Sequence, residues 1–195
     1  MGKKPASVGI PIPDTEVKIV VPETGELAAI GEPGEMVVRG LQLMRGYYNK
    51  PEETAHVIKD GWMYTGDIAK IDEDGYFYII DRLKDVVIVS GYKVFTRELD
   101  DVLMNHPDVK LAASFGIPDP NRPGSERVAA VISLKPGIEK NGAEKDEILK
   151  YLKANVAPYE VPKVIEFMDH FPTSGVGKIL KRELKQKVAA IVLEK

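Results

Sequence analysis

Cysteine and long apolar runs are both missing from this sequence of 195 residues. Without cysteine the chain cannot form disulfides, a zinc–thiolate site or a cysteine nucleophile. No apolar run approaches the ~18 residues that a membrane-spanning helix requires. The opening stretch, MGKKPASVGIPIP, lacks the apolar core of a secretory signal. We therefore expect a cytoplasmic protein.

An excess of charge of one sign is also missing. The formal net charge is −3, which gives no general electrostatic reason to expect a nucleic-acid partner. Hydrophobic residues make up 44% and charged residues 29% of the chain, a balance typical of a folded protein rather than a disordered one. The length fits one ordinary domain or two small ones.

The first part of the chain has the patterns of short β-strands. TEVKIVV alternates apolar and polar residues, and GEMVVRG is an apolar run between glycines. The segment 61–82 is predicted as two strands joined at Asp74-Gly75, a dipeptide that favours tight hairpin turns. A short helix is expected to begin at Pro51, because proline suits the first helical position. We assign residues 1–82 to this β-rich part.

Beyond Arg82 strand and helix patterns alternate, and the predicted order of elements is ββαββαβα. VVIVSGYKVF predicts two strands around a Ser-Gly turn, and Thr96 is a candidate N-cap of the helix that follows. The spacing of four residues predicts one face of that helix, and they are Leu99, Val102, Leu103 and His106. Three further strands are predicted at 109–117, 127–134 and 163–168. A helix is expected over 145–156, and a last helix is expected to start near Ile179. We expect an α+β domain over 85–195, with a short charged hinge at 83–84.

Lys178 is a candidate functional residue because a glycine-lysine pair can bind phosphate. The phosphate loop of nucleotide hydrolases also needs an earlier glycine, and a Ser or Thr after the lysine. Pro172 and Ile179 occupy those two positions, so that motif is absent. Gly175 and Gly177 permit a close backbone approach to a ligand. From this loop alone, an ordinary solvated surface lysine is the favoured interpretation.

Asp67 and Arg82 end two neighbouring predicted strands, so we expect them within reach of one ligand. A carboxylate can accept hydrogen bonds from a vicinal diol such as a ribose, and a guanidinium suits phosphate or hydroxyl groups. The structural alternatives are a turn aspartate and a surface ion pair of Arg82 with Asp81 or Asp85. The SGYK turn likewise has an ordinary explanation as a hairpin.

Taken together, three segments resemble the adenylate-forming superfamily, which contains AMP-forming acyl-CoA synthetases, luciferases and the adenylation domains of peptide synthetases. The segments are GELAAIGEPGEMVVRGLQLMRGYYNKPEET, DGWMYTGDIAKIDEDGYFYIIDRLKDVVIVSGYKVFTRELDDVL and FPTSGVGKILKREL. The resemblance runs from about Ser7 to Leu184, and fatty acyl-CoA ligases are the most similar members. It implies that 1–82 is the last β subdomain of a large domain, a part of its distorted barrel, and that 85–195 is a mobile lid domain.

The resemblance implies nucleotide-handling roles for three residues. Asp67 matches the aspartate that holds both ribose hydroxyls of ATP or acyl-AMP. Arg82 matches the arginine that binds the ribose and the nearby phosphate region. Lys178 matches the lysine that bridges the substrate carboxylate and the α-phosphate during adenylation. No metal ligand is assigned in this chain, although Mg²⁺ would accompany the triphosphate.

The resemblance also implies residues for the second half-reaction, the transfer of the acyl group to coenzyme A. Lys84 matches the hinge residue about which the lid domain rotates. Ser90, Gly91 and Lys93 belong to the turn that lines the path of the pantetheine arm. Some relatives carry a basic residue where this sequence has Ile88, so that role has no counterpart here.

Much of such an enzyme is expected to lie outside these residues. Family members are several hundred residues long, and their phosphate loop, adenine-contacting segment and acyl pocket lie upstream of the matched part. We therefore expect a C-terminal fragment of a fatty acyl-CoA ligase that is inactive alone and needs the large domain in cis or in trans. The alternatives are a stand-alone lid-like binding module and adenylation of an acid for another acceptor. A homodimer that covers exposed strand edges is also left open.

Overall fold

The computed structural model describes residues 4–193, without the side chains of 191–193. The chain divides into two compact units, with the boundary between Lys84 and Asp85. A single 3₁₀ turn, Leu83–Asp85, spans that boundary. Within the described part of the chain, no helix has the length and apolar character needed to cross a membrane.

The first unit is built on one antiparallel sheet. Its strands are β1 (Thr15–Val20), β2 (Gly34–Gly40), β3 (Ile58–Lys59), β4 (Trp62–Ile71) and β5 (Phe77–Arg82). They lie in the order β1-β2-β4-β3, and β5 also pairs with β4. Helix α1 (Pro51–Val57) begins at the predicted proline. Ile19, Ala69 and Phe77, from three different strands, form the buried core of this unit.

The second unit has the predicted order ββαββαβα. Its elements are β6 (Val87–Val89), β7 (Tyr92–Val94), α2 (Thr96–Met104), β8 (Val109–Pro118), β9 (Glu126–Leu134), α3 (Gly142–Asn155), β10 (Val164–Phe167) and α4 (Lys181–Leu193). Strand β9 lies at the centre of a three-stranded sheet, antiparallel to β8 and parallel to β10. The predicted α+β fold is therefore confirmed.

Both faces of this three-stranded sheet are covered, which explains why β8 and β9 are apolar almost throughout. Ile132 of β9 packs with Leu152 of α3 and with residues of α2 on one face. Val131, its neighbour in sequence, packs with Leu184 and Val188 of α4 on the other face. Helices α2 and α3 thus share one face, and α4 covers the other.

Two predictions about helix α2 are wrong. Thr96 is the first residue of the helix, so Phe95 occupies the N-cap position, and the cap has no side-chain hydrogen bond. His106 lies beyond the last residue, Met104, rather than on the helical face. It is buried nonetheless, with its ring against that of Tyr151, and its backbone N–H donates to the carbonyl of Leu103.

The starts of the two later helices also differ from prediction. Helix α3 begins earlier than expected, at Gly142, because the side chain of Asn141 caps it by accepting a hydrogen bond from the N–H of Glu144. Helix α4 begins later than expected, at Lys181. The cause is a short β-bridge that holds Ile179 in an extended segment.

Candidate functional site

Asp67 and Arg82 are cross-strand neighbours in the first unit. They are paired in the register of β4 and β5, and Nε of Arg82 lies 3.0 Å from Oδ1 of Asp67. The side chain of Arg82 is 55% exposed and that of Asp67 32%, so a ligand can reach both. The structure brings the two residues together as expected, but Asp67 lies within β4 and not at its end.

A bulge in β4 determines the position of Asp67. Met36 of β2 faces three residues of β4, which are Thr65, Gly66 and Asp67. The hydroxyl of Thr65 donates to the carbonyl of Met36 at 2.7 Å and accepts from the N–H of Asp67 at 3.1 Å. The N–H of Gly66 donates to Oε1 of Glu35 at 3.0 Å, and Gly66 has φ +70°, which favours glycine. Such bulges redirect side chains, and here the bulge presents Asp67 to Arg82.

Glu35 is a positioning residue that sequence reasoning missed. It is only 7% exposed, and its carboxylate holds the bulge through the N–H of Gly66. The preceding residue, Gly34, packs so tightly that an added Cβ would lie 2.5 Å from the carbonyl oxygen of Val20. The sequence contained one sign of this role, which is a glutamate inside the apolar run GEMVVRG. A buried carboxylate needs a specific partner, so such a glutamate indicates a specific hydrogen bond.

Lys178 lies in a short hairpin and not in a loose loop. Thr173 and Ile179 are bridged across its base. The N–H of Ser174 donates to the carbonyl of Lys178 at 2.8 Å, and the N–H of Lys178 donates to Oγ of Ser174 at 3.1 Å. Gly177 has φ +78°, which closes the turn. The ammonium group of Lys178 is exposed and has no hydrogen-bond partner among the described residues, so it is available to an anionic ligand.

The turn between β6 and β7 has a specific backbone conformation. Its two central residues, Ser90 and Gly91, have φ values of +50° and +89°, as a two-residue turn of type I′ requires. The N–H of Ser90 donates to Oγ of Ser125 at 3.1 Å, and Nη1 of Arg122 donates to Oγ of Ser90 at 2.5 Å. Lys93 is exposed on β7. The turn is thereby fastened to the loop that joins β8 and β9.

A groove of about 450 Å³ lies beside this turn. Tyr92 and Tyr159 stack within it, with ring centroids 4.6 Å apart and an interplanar angle of 13°. Its basic lining residues are Arg122, Arg127 and Lys163. Nε of Arg127 is buried and has no hydrogen-bond partner in the described part of the chain. The acidic residues of the lining are Asp119 and Glu126. Aromatic rings beside guanidinium groups suit a flat, anionic ligand. Sequence reasoning missed this groove, because its walls are far apart in the chain.

The remaining candidates are Lys84 and the possible metal ligands. Lys84 is exposed in the 3₁₀ turn at the boundary between the units, and its role as a hinge stays a prediction. Among the described residues, one group has metal-ligand atoms within 4.8 Å of one another, namely His106, Asp108 and Glu144. Because Mg²⁺ favours oxygen ligands and imidazole suits transition metals, this group does not fit Mg²⁺.

Two family profiles match the chain. The profile of the AMP-binding enzyme matches residues 1–48, and that of the AMP-binding enzyme C-terminal domain matches residues 98–178. Lys178 is the last residue of the second match. Asp67, Arg82 and the turn at Ser90 lie between the two matches.

Several known proteins are similar to nearly the whole chain. It is 45% identical over 184 residues to a long-chain-fatty-acid–CoA ligase of Bacillus subtilis, a match that covers 94% of this chain and 32% of the ligase. It is 41% identical over 187 residues to a feruloyl-CoA synthase of an Amycolatopsis species, covering 96% and 37%. The ATP-bound structure of MatB from Rhodopseudomonas palustris superposes with a TM-score of 0.85 at 32% identity, covering 94% of this chain and 36% of that one. The chain thus spans about a third of the length of the curated relatives it matches.

Proposed function

This chain belongs to the adenylate-forming enzymes, and we propose on that basis that it is the C-terminal part of a ligase that activates a fatty acid with ATP and transfers the acyl group to coenzyme A. The observation that carries the proposal is the 45% identity over 184 residues to a long-chain-fatty-acid–CoA ligase. The Asp67–Arg82 pair and the Lys178 hairpin supply groups that such a reaction needs.

In the first half-reaction, a carboxylate oxygen of the acid attacks the α-phosphorus of ATP. The new bond makes acyl-AMP, and the bond to pyrophosphate breaks. Two anions must approach each other, and negative charge builds on the phosphoryl oxygens, so a positioned cation lowers the barrier. We assign that role to Lys178. Asp67 accepts hydrogen bonds from the ribose hydroxyls and, with Arg82, holds the nucleotide in register.

In the second half-reaction, the thiol sulfur of coenzyme A attacks the acyl carbonyl carbon. The bond to the AMP oxygen breaks, AMP leaves, and the thiol proton is released. A cation between the reactants would obstruct the thiol. Rotation about Lys84 is therefore proposed to withdraw Lys178 and to bring in the turn of Ser90, Gly91 and Lys93.

The groove beside that turn supports coenzyme A as the acceptor. Its stacked rings, Tyr92 and Tyr159, and its basic residues, Arg122 and Arg127, suit the nucleotide portion of coenzyme A. Mg²⁺ would accompany the triphosphate, but no ligand for it is assigned in this chain and no step assigned to this chain depends on the ion. The predicted cytoplasmic location and homodimer stay predictions.

The proposal includes a dependence on a large domain, supplied in cis or in trans. The test joins this chain to the upstream part of the Bacillus subtilis ligase and measures pyrophosphate release and acyl-CoA formation from ATP, a fatty acid and coenzyme A. The chimera is expected to carry out both half-reactions, and the 195-residue chain alone neither. The intact Bacillus ligase, expressed in the same way, is the control.

Each other outcome favours a stated alternative. Steady pyrophosphate release by the chain alone would refute its dependence on a large domain. A chimera that makes acyl-AMP but no acyl-CoA would favour another acceptor. Tight binding of a non-hydrolysable acyl-AMP analogue to the chain alone, measured by isothermal titration, would favour a stand-alone binding module.

A further inference from the structure

Lys181 makes a buried polar contact that the reaction scheme above does not use. It follows Lys178 by three residues. Its side chain is 23% exposed, and its Nζ donates to two acceptors on helix α2, Oγ1 of Thr96 and Oδ2 of Asp100, each at 2.9 Å. Both acceptor residues are buried. The first residue of α4 is thus tied to the first two turns of α2.

This contact crosses the open edge of the three-stranded sheet. Strand β8 is one of the two edge strands, with α2 packed on one face of the sheet and α4 on the other. The second carboxylate oxygen of Asp100, Oδ1, accepts a hydrogen bond from the backbone N–H of Ser114 in β8 at 2.5 Å. Asp100 therefore binds a backbone N–H at the edge of β8, and it also accepts a hydrogen bond from Lys181, which belongs to the helix on the other face of the sheet.

Stability alone is a weak explanation for this pair. Burial raises the pKa of Asp100 to about 6, against the opposing effect of Lys181, so desolvation outweighs the attraction between the two charges. Buried ion pairs of this kind are often no more stable than the apolar side chains that replace them, whereas they do fix geometry. We therefore look for the role of the pair in the segments whose relative position it fixes.

The contact joins the two loops to which the half-reactions are assigned. On the side of Lys181, the Lys178 hairpin is anchored by Phe171 and Ile179, which pack on the α4 face of the sheet. On the side of α2, the Ser90–Gly91 hairpin runs into the helix through the single residue Phe95. We propose that Lys181 is a positioning residue that fixes the Lys178 hairpin relative to the Ser90–Gly91 turn, so that both loops move as one rigid body. Its catalytic consequence rests on the proposed function.

The first test measures hydrogen–deuterium exchange by NMR in the full 195-residue chain. Lys181→Met keeps the aliphatic stem and removes the ammonium group, and Lys181→Arg keeps a cationic donor. The matched control is Lys185→Met, one turn further along α4, where the lysine pairs with Glu126 at 3.4 Å and is 45% exposed.

In Lys181→Met, the hydrogen-bonded N–H groups of Ser174, Gly177 and Lys178 are expected to exchange about tenfold faster or more, while those of β9 stay unchanged. Lys181→Arg restores slow exchange, and Lys185→Met leaves the hairpin unaffected. Unchanged exchange in the hairpin would overturn the proposal. So would an equal acceleration throughout the second unit, because that indicates a general loss of stability.

The second test uses the chimera and separates the half-reactions. Lys181→Met is expected to lower kcat for adenylation about tenfold, with little change in KM for ATP and little change in thioester formation from preformed acyl-AMP. Lys181→Arg should restore adenylation. If Lys178→Ala slows adenylation and Lys181→Met does not, only the positioning role fails. If Lys178→Ala has no effect either, the proposed function fails at that residue, and the exchange measurement still decides the structural role of Lys181.

Discussion

Arg82 and Asp67 form an ion pair of 3.0 Å across β4 and β5, directly before the boundary at Lys84. Exposed pairs of this kind contribute little to stability, commonly about 0–1 kcal/mol. This pair differs from an ordinary surface pair because a bulge in β4 positions it. In that bulge the N–H of Gly66 donates to Glu35, and the N–H of Asp67 donates to Thr65. The bulge therefore fixes the position of Asp67 beside Arg82.

Asp67→Ala should weaken binding of an acyl-AMP analogue to the chimera. Hydrogen bonds to a charged group contribute about 1.5–3 kcal/mol, so the dissociation constant should rise roughly 10-fold to 100-fold. Isothermal titration measures this. Asp146→Ala, which removes an exposed aspartate of α3, is the control, and equal affinities in the two variants would remove Asp67 from the site.

Lys178→Ala should lower the rate of adenylation by about 10²–10³, because the cation that stabilises the phosphoryl charge is gone. Thioester formation from preformed acyl-AMP should be nearly unchanged. Both rates are measured in the chimera, and Lys187→Ala, at an exposed position of α4, serves as control. An equal loss in both half-reactions would contradict the assignment.

Glu35→Ala should destabilise the first unit by about 1–3 kcal/mol, because the N–H of Gly66 would lose its buried acceptor. Trp62 is the only tryptophan of the chain and lies on β4, so its fluorescence during urea unfolding reports on this unit. Glu32→Ala, at an exposed position nearby, should leave the midpoint unchanged. If the unfolding midpoints of Glu35→Ala and Glu32→Ala coincide, Glu35 does not stabilise the bulge.

Gly91→Ala should destabilise the second unit by about 1 kcal/mol, because a side chain at φ +89° is strained even though no atom lies within 4 Å of the added Cβ. Thioester formation in the chimera should fall with it. Gly142→Ala is the matched control, since that glycine has open space and no positive φ. The stabilities of the two variants are compared by urea unfolding, monitored by circular dichroism. If Gly91→Ala is as stable as Gly142→Ala, the predicted backbone strain at position 91 is wrong.

Asp100 should make the stability of the second unit depend on pH. Folding raises its pKa from 3.8 to about 6 through burial, so between these values the folded chain binds this proton more tightly than the unfolded chain does. Its contribution to the free energy of unfolding is therefore fully present only below pH 3.8 and is lost, by up to about 3 kcal/mol, as the pH rises through 6.

Asp100→Asn removes this titration. The difference in the free energy of unfolding between the wild-type chain and Asp100→Asn, measured by urea unfolding from pH 4 to pH 7, should shift against the wild type as the pH rises. Carboxylates elsewhere in the chain affect both proteins and cancel in the difference. A difference that is constant with pH would show that the pKa of Asp100 is not raised by folding.

Patterns in the sequence were enough to predict the order of elements in the second unit, the two hairpins at Asp74-Gly75 and Ser90-Gly91, and the α+β fold. The elements and turns follow from alternation, helical spacing and turn chemistry, which act between residues close in the chain, whereas the family was indicated by the resemblance of three segments to known enzymes. Helix ends were less predictable. The start of α4 depends on the bridge between Thr173 and Ile179, and Thr96 turned out to be an acceptor for a distant lysine rather than a cap.

The way in which the candidate residues are held depends on contacts between segments that are far apart in the chain. The bulge that presents Asp67 arises from the pairing of β4 with β2, and the groove beside Ser90 is lined from three separate segments, 89–92, 119–128 and 158–163. The contact of Lys181 with Asp100 spans 81 positions of sequence and exists because two helices on opposite faces meet at the edge of β8. No local pattern encodes such contacts, since they depend on which distant segments the packed sheets bring side by side.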